Sequence, residues 1–465
     1  MKKQIAANQN PSAITRIYVE DLFGKYTYDL DCSGREGNSL SRLVILYGDN
    51  GSGKTTILSS AFHLLSSAES RGHRTFLASV PFRVFSVYLA NGFGLTAARH
   101  IQTVGSYTLS ISKKGKVLAE VYMPVDEENS VTELGESEPA YHEFCRLLTE
   151  LKITVYSLSD KRRFQSDILP DADEEEMVRS QYLRRSRGPT QRTAESKGTP
   201  PHDTQDLALE VALSRVVTLI RNQILKGSSI GETNVNQIYR DIVKRIALSR
   251  GPADRSAFLK LEELTNTLKG IEDRSRSFSQ YHLMPPLDVE ELVGYLGSAP
   301  IGRRTIMVNV LSPFIEGMTA RLDALQETLD LITIFVETVN KFLSDKRISF
   351  DPWDELRILS TDGQELMPRV LSSGEKQLLL LMCNTVLARE RASILLIDEP
   401  ELSLNVKWQR QLVNALLQLV GDGNVQFILA THSIELLTHH RYNVLKLVNT
   451  ATGREAVVRH SPLDH

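Results

Sequence analysis

Residues 43–56, LVILYGDNGSGKTT, constrain what this chain can fold into more than any other stretch. The apolar run Leu43-Val44-Ile45-Leu46 has the length of one buried strand and is too short for a helix. Gly48-Asp49-Asn50-Gly51-Ser52-Gly53-Lys54-Thr55 then matches G-x-x-x-x-G-K-[ST] in full. Thr56 follows, and Ile57, Leu58, Ala61, Phe62 and Leu65 repeat at helical spacing. Strand, glycine-rich turn and helix start are the context in which this pattern holds phosphate. Glycines let the backbone curl until several N–H groups face inward, and the helix N-terminus adds a positive field. Lys54 is expected to reach the β- and γ-phosphates, and the Thr55 hydroxyl to complete a Mg²⁺ shell. A glycine-rich turn that binds nothing is hard to reconcile with strand, lysine, threonine and helix all in place.

At 465 residues the chain exceeds the size at which one core keeps growing, so two or three structural units are expected. With 54 basic and 57 acidic residues the net charge is −3, which gives no global electrostatic case for nucleic acid or a membrane surface. The opening MKKQIAANQNPS lacks an apolar core, so no signal peptide is expected. No run approaches the length of a membrane span. Cys32, Cys145 and Cys383 are too scattered for a disulfide framework or a metal motif, which fits free thiols in a reducing cytoplasm.

Along the chain, Ile14 to Phe23 and Lys25 to Leu30 read as paired strands leading into the phosphate loop. Phe23, Tyr26 or Tyr28 could stack on a base or simply face a core. Arg83 to Tyr88 reads as a strand, and Tyr107 to Tyr122 as two strands turning at Lys113-Lys114-Gly115. Pro139 to Leu151 is helix-like, and Ile153 to Leu158 reads as a buried strand. Gln165 follows in what reads as a loop, where a glutamine could touch the metal and the attacking water or could simply be solvated. Residues 166–205, with Asp171 to Glu176, Arg184 to Arg187 and a Gly/Pro/Thr/Ser-rich tract, have a linker composition.

From 206 to 345 the pattern is helical. Leu209, Leu213, Val216, Ile220 and Ile224 form one stripe. Ile315, Met318, Leu322, Leu325, Leu329, Ile332, Val336, Val339 and Leu343 alternate gaps of 3 and 4, a heptad seam. That seam predicts a long helix packed lengthwise on another, either an intrachain hairpin with the 209–224 stripe or a seam between subunits.

Chemistry returns near the C-terminus. Leu371-Ser372-Ser373-Gly374-Glu375-Lys376-Gln377 precedes an apolar helical run, which describes a second anion site at a helix N-terminus. Ile394 to Ile397 is a buried strand ending in Asp398-Glu399-Pro400. An acid at the carboxyl end of such a strand is expected beside the phosphate loop, with Asp398 holding Mg²⁺ through water and Glu399 polarising the attacking water. Val425 to Ala430 makes another strand, ending in Thr431-His432-Ser433, where a neutral imidazole can bond to the γ-phosphate.

GDNGSGKT, LSSGEKQ, LLIDEPELSL and the histidine of ATHS occur in that order. Together they resemble the ABC-type ATPase family, in the soluble branch with RecF, the Rad50/SMC heads and OLD-like proteins. The resemblance covers about 12–165 and 346–450. It implies an α/β fold: an ABC-ATPase head of mixed β-sheet and helices, carrying a helical or short coiled-coil insertion. Its expected parts are 1–165 and 346–465 as the two halves of the head, 166–205 as linker and 206–345 as a helical hairpin. The resemblance also implies head-to-head pairing, each ATP lying between one phosphate loop and the partner's Ser373 and Gly374. Ser403-Leu404-Asn405 would cross that interface, and Gln165 would be a metal-contacting glutamine. Ser372 and Glu375 complete the expected nucleotide-binding set, and Lys54, Glu399 and His432 the catalytic one. The gap of 316 positions from Thr55 to Leu371 is too long for a transporter domain, and four heptads are too few for an SMC arm. No Toprim D-x-D pair follows His432, so no nuclease is expected. This architecture resembles the ATPase subunits of bacterial anti-phage systems, PARIS-type (AriA) or Septu- and retron-type (PtuA-like), which work with a separate effector such as a Toprim nuclease. The alternative is a DNA repair or recombination ATPase that binds DNA.

Overall fold

The computed structural model describes residues 10–33, 41–68, 71–100, 102–132, 135–159, 164–166, 206, 208–227, 256–298, 301–353, 355–391, 394–421 and 423–450. The linker-like tract after residue 166, with its acidic run and its Arg184 to Arg187 cluster, lies outside them, as does 451–465. In chain order the elements begin with β1 (Ile14–Leu22), β2 (Tyr26–Asp31), β3 (Leu43–Tyr47), α1 (Lys54–Leu65) and α2 (His73–Ser79). There follow β4 (Val84–Leu89), β5 (Phe93–Ala98), β6 (Tyr107–Lys113), β7 (Lys116–Met123), α3 (Glu138–Glu150), β8 (Val155–Leu158) and β9 (Phe164–Ser166). The middle holds α4 (208–227), α5 (Ser256–Ser279), α6 (Glu290–Ser298), α7 (Ile301–Phe342), β10 (Lys346–Asp351), β11 (Glu355–Ser360) and β12 (Glu365–Leu366). The chain closes with α8 (Ser373–Arg391), β13 (Ile394–Asp398), α9 (Val406–Val420), β14 (Gln426–Ala430), α10 (Ile434–His439) and β15 (Val444–Lys446). These fall into two compact units, Met1–Leu207 with Ser372–His465, and Ala208–Leu371.

The first unit is built on two six-stranded sheets. One is antiparallel, ordered β2-β1-β4-β5-β6-β7, and includes the two expected hairpins, β1 with β2 and β6 with β7. The second turn is set by Lys114 and Gly115, both at positive φ, a conformation suited to two-residue hairpins. The other sheet is ordered β15-β3-β14-β13-β8-β9; its strands run parallel except β9, which returns antiparallel to β8. Val44, Leu46, Ile394, Leu396, Ile428 and Ala430 share a hydrophobic cluster with α1 and with the buried face of the antiparallel sheet. Their sequence neighbours Leu43, Ile45, Leu395, Ile397, Phe427 and Leu429 are also buried. Both faces of β3, β13 and β14 are therefore covered, which is why these strands read as unbroken apolar runs. Between the sheets α1 buries Ile57, Leu58, Ala61, Phe62, Leu64 and Leu65, more than one face of a helix.

The second unit centres on α7, 42 residues long. The expected seam is buried at Ile315, Leu322, Leu325, Leu329, Ile332, Val336, Val339 and Leu343, while Met318 is partly covered. A second stripe, Thr328, Leu331, Phe335, Thr338 and Phe342, is buried beside it at the same heptad spacing. Two adjacent buried stripes require neighbours on two sides. One neighbour is α5, packed along α7 and tied to it by Arg274 and Asp323 at 2.7 Å. The other is the end of α4, where a Cβ on Gly227 would sit 2.6 Å from Leu325 Cδ2. Leu209, Leu213, Val216 and Ile220 of α4 are buried as well. So the seam is covered within the chain by α5 along its length and, at Leu325, by the end of α4. Sequence periodicity located the seam; it carried no signal for α5, whose polar residues break up its apolar stripe. A small antiparallel sheet, β10-β11-β12, completes the unit. Asn340 holds it to α7 by accepting from the Ile348 N–H at 2.7 Å and donating to the Ile348 carbonyl at 3.1 Å.

Candidate functional site

The parallel strands deliver the chemistry to one end of the sheet. Leu46 pairs with Ala430, and Ala430 with Asp398, so β3, β14 and β13 finish level. The phosphate loop, Thr431-His432 and Asp398-Glu399 leave side by side. β14 stands between β3 and β13, so the strand next to β3 carries the histidine, while the acids at the end of β13 still act on Lys54.

Gly51 and Gly53 take positive φ in the phosphate loop, at 77° and 91°. A Cβ on Gly53 would also lie 2.5 Å from Leu22 Cδ2, so conformation and space both demand glycine there. Tyr28 is buried, and its hydroxyl donates to the Ser52 carbonyl at 2.8 Å. Burial pushes that phenol up to about 12, which keeps it a donor. Tyr28 thus props the loop and is not available as a platform for a base. Tyr26 stacks on it at 5.7 Å. Phe23 is exposed, at positive φ. Asp49, Asn50, Gly51 and Thr55 are exposed, while Gly48, Ser52 and Lys54 are buried and Thr56 is partly covered.

Lys54 Nζ donates to the Gly48 carbonyl at 2.9 Å and the Asp49 carbonyl at 3.2 Å, and lies 2.6 Å from His432 Nε2. Burial lowers the lysine below its usual range, against the pull of Glu399 and Asp398. Burial and Lys54 together lower His432, so its imidazole is neutral and Nε2 can accept from the ammonium. His432 Nε2 is 3.5 Å from Glu399 Oε1. Glu399 is pushed up to about 8 by burial first, then by Glu401 and Asp398, with Lys54 opposing. Its backbone is at φ 47°, a left-handed turn that a glutamate adopts at some cost. A strained residue with a shifted carboxyl beside a buried lysine is a combination found at functional sites. Asp398 is buried at the end of β13.

The second expected anion site is built differently from the first. Ser372 and Glu375 form a capping box on α8: the Ser372 N–H donates to Glu375 Oε2 at 2.7 Å, and the Glu375 N–H to Ser372 Oγ at 3.3 Å. Both side chains are engaged in starting the helix, which leaves exposed Ser373 as the hydroxyl facing outward from its first turn. Lys376 pairs with Asp206 at 2.6 Å. Gly374 lies against the turn after β13, where a Cβ would meet the Ser403 carbonyl oxygen at 2.4 Å. Asn405 caps α9 by accepting from the Trp408 N–H at 2.9 Å, so its side chain serves that helix. Ser372, Ser373, Gly374 and Glu375 therefore stand together with Ser403, and Lys54, Glu399 and His432 form their own cluster. Gln165 sits in β9, across from Ser157, so it occupies an edge strand and not the expected loop. Its side chain lies outside the described residues.

One residue at the site went unread in the sequence. Glu401 is buried, and its Oε1 accepts from the Thr431 hydroxyl, from the His432 N–H at 2.9 Å and from the Ser433 N–H at 3.0 Å. The signal for it was a third acid in Asp398-Glu399-Pro400-Glu401, where Asp398 and Glu399 already filled the expected roles.

Residues 318–438 match the family model described as "AAA domain, putative AbiEii toxin, Type IV TA system". The "Retron Vc95 probable ATPase" of Vibrio cholerae serotype O1 biovar El Tor is 27% identical over 207 residues, covering 42% of this chain and 37% of that protein. A "Putative ABC transporter ATP-binding protein" of Methanosarcina mazei is 20% identical over 210 residues, covering 38% of this chain and 41% of that protein. The chain is similar to ATPases. It spans about two fifths of the length of these curated relatives. Among solved structures, the Pyrococcus furiosus Smc head domain bound to the C-terminal domain of ScpA aligns over 94% of both chains, at 13% identity and a TM-score of 0.35. Among the described residues, no helix is long and apolar enough to cross a membrane.

Proposed function

We propose that this protein binds ATP with Mg²⁺ and hydrolyses it in an ABC-type head that is completed by a second copy. The observation that carries the reading is the meeting of Lys54, His432 and Glu399, brought from three strand ends to within 2.6 and 3.5 Å of one another. Lys54 spends its three donors on two loop carbonyls and a neutral imidazole, each an acceptor that phosphate oxygens can replace. Gly48 to Thr56 would hold the phosphates by backbone N–H groups and the α1 N-terminus. His432 would then bond to the γ-phosphate, and Glu399 would orient and polarise the water that attacks it.

The donor set suits Mg²⁺. Thr55 and Asp398 offer a hydroxyl and a carboxylate, both hard oxygen ligands, and Mg²⁺ usually takes one or two protein ligands with the rest from phosphate and water. Among the described residues, no group of three or more His, Cys, Asp or Glu side chains is placed to hold a metal. The metal would supply charge neutralisation on the phosphates. Gln165 would be a further contact of the metal.

Ser373 and Gly374 of one copy would face the γ-phosphate held by the other, with Ser403 to Asn405 at the same edge. Closure of two heads on ATP and reopening on hydrolysis would make the chain a sensor or scaffold for a separate effector, such as a Toprim nuclease, in anti-phage defence. The name of the retron relative supports that context. Phosphate release and ATP binding, measured on wild type and Glu399→Gln, test the enzymatic reading. The variant is expected to bind ATP, to stall before hydrolysis and to accumulate as a nucleotide-loaded dimer. Wild-type turnover by Glu399→Gln would overturn the role of Glu399. Co-purification of a nuclease subunit with the full chain, without DNA affinity, would support the effector role; salt-sensitive DNA binding would favour the repair reading.

A further inference from the structure

We infer that Glu401 is a positioning residue that locks the turn carrying Glu399 to the backbone carrying His432. The inference rests on the ATPase reading for its catalytic consequence, and on hydrogen-bond geometry alone for the lock itself.

Glu399 and His432 come from different strands, β13 and β14, and each leaves its strand on a separate loop. Nothing in a parallel sheet fixes two such loops to each other beyond the last ladder bond. That bond is present, with the Glu399 N–H donating to the Ala430 carbonyl at 2.8 Å. Past it, the loops would be free to part. One carboxylate oxygen prevents this: Glu401 Oε1 gathers the Thr431 hydroxyl and the successive N–H groups of His432 and Ser433. Successive N–H groups converging on one anionic oxygen make a nest, with the acid supplied by the chain itself. Thr431 is fully buried, and its Oγ1 also accepts from the Ser433 N–H at 2.9 Å, which stiffens the loop from within.

The other side of the lock is equally tied down. Leu402 N–H donates to the Glu399 carbonyl at 3.1 Å and Leu404 N–H to the Glu401 carbonyl at 3.0 Å, so Glu399 and Glu401 belong to one tight turn. Gln409 closes a second loop of bonds, donating to the Leu404 carbonyl at 2.9 Å while accepting from Ser433 Oγ at 2.8 Å. The turn after β13 and the loop after β14 therefore move as one piece. The 3.5 Å spacing of Glu399 and His432 is a property of that piece. Glu401 holds the backbone from which His432 hangs, and its carboxyl also lies close enough to that of Glu399 to raise it.

This makes a specific demand on chemistry. The lock needs an acceptor at Oε1, the oxygen on which all three donors converge; the charge of Glu401 acts separately, on the carboxyl of Glu399. A glutamine can place its carbonyl at Oε1 and its amide at the Oε2 position. Alanine removes the acceptor of the buried Thr431 hydroxyl and of the partly buried His432 and Ser433 N–H groups.

The test uses the full chain and two readouts. Hydrogen exchange of the peptide around Thr431 to Ser433, in the absence of nucleotide, reads the lock directly. Glu401→Ala is expected to raise exchange there by tenfold or more, on the order expected when a loop loses its buried hydrogen bonds, and Glu401→Gln to restore protection. Steady-state phosphate release reads the consequence: Glu401→Ala is expected to lower kcat about 100-fold, the scale of a displacement of about 1 Å, with KM for ATP within about threefold, since uniform binding is untouched. Glu401→Gln is expected to recover most of the kcat. Unchanged exchange in Glu401→Ala, or a glutamine variant as impaired as the alanine one in both readouts, overturns the inference. A wild-type chain that releases no phosphate is a failure of the ATPase reading, and the exchange result then still decides the lock. Far-UV circular dichroism of Glu401→Ala matching wild type separates loop release from unfolding.

Discussion

Gly374→Ala puts a single methyl where the structure has least room for it. The added Cβ would stand 2.4 Å from the Ser403 carbonyl oxygen and 3.5 Å from its carbonyl carbon. Optimal contact begins at about 3.5 Å, so the Ser403 backbone must retreat by about 1 Å or α8 must shift by as much. Gly374 is in the first turn of α8 and not at positive φ, so helix propensity favours the alanine by up to about 1 kcal/mol. Against this stand overpacking, about 1–3 kcal/mol, and the left-handed Ser403 turn at φ 65°, which has little freedom to give way. The balance is a net loss of about 1–2 kcal/mol, read as a lowered denaturant midpoint in nucleotide-free protein. Working without nucleotide isolates this packing from any contact that Gly374 makes with ATP. Because the displaced turn also carries Glu399, turnover is expected to fall about tenfold or more while ATP affinity at the phosphate loop holds. A variant as stable as wild type, or more so, would refute the packing argument.

Glu399 gives the nucleotide-free protein a pH-dependent stability of definite sign. Its folded carboxyl titrates at about 8, above the usual carboxylate range, so the folded state binds the extra proton and stability falls as pH rises from about 4.5 to 8. Discounted for solvent screening, the loss is about 1–2 kcal/mol, and Glu399→Gln should flatten that part of the profile in denaturant titrations. Tyr28→Phe removes one donor to the Ser52 carbonyl and is expected to cost about 1 kcal/mol, with weaker binding of a fluorescent ATP analogue; unchanged affinity would deny Tyr28 its role as a prop. Calorimetry should find Mg²⁺ taken up together with ATP and not at millimolar concentration without it, since phosphate oxygens supply much of the shell.

Much of this was legible in the sequence because it is local. The phosphate loop, the strands Leu43–Tyr47 and Ile394–Asp398, and the hairpin at Lys114-Gly115 each follow from a few adjacent residues. The antiparallel β5 was not, because Phe93-Gly-Leu-Thr-Ala-Ala98 holds a glycine and two alanines and borrows its strand from neighbours on both sides. Sheet order was also beyond reach: the placing of β14 between β3 and β13 depends on pairing, which composition does not encode. The same holds within the site. Lys54, Glu399 and His432 were legible as motif positions, but Glu401 acquires its role only from what β14 brings to it. Ser372 and Glu375 show the converse, since their spacing reads equally as an anion site or a capping box and the hydrogen bonds show the cap.

The central claim is that two copies complete each site, and mixing two inactive chains tests it most directly. Lys54→Ala lacks a working phosphate loop, and Ser373→Arg blocks the opposing face. If the faces meet between copies, each mixed dimer regains one intact site, so an equal mixture should recover about a quarter of wild-type turnover per chain, as random pairing in a two-fold dimer dictates. A mixture no more active than either variant alone would contradict the account.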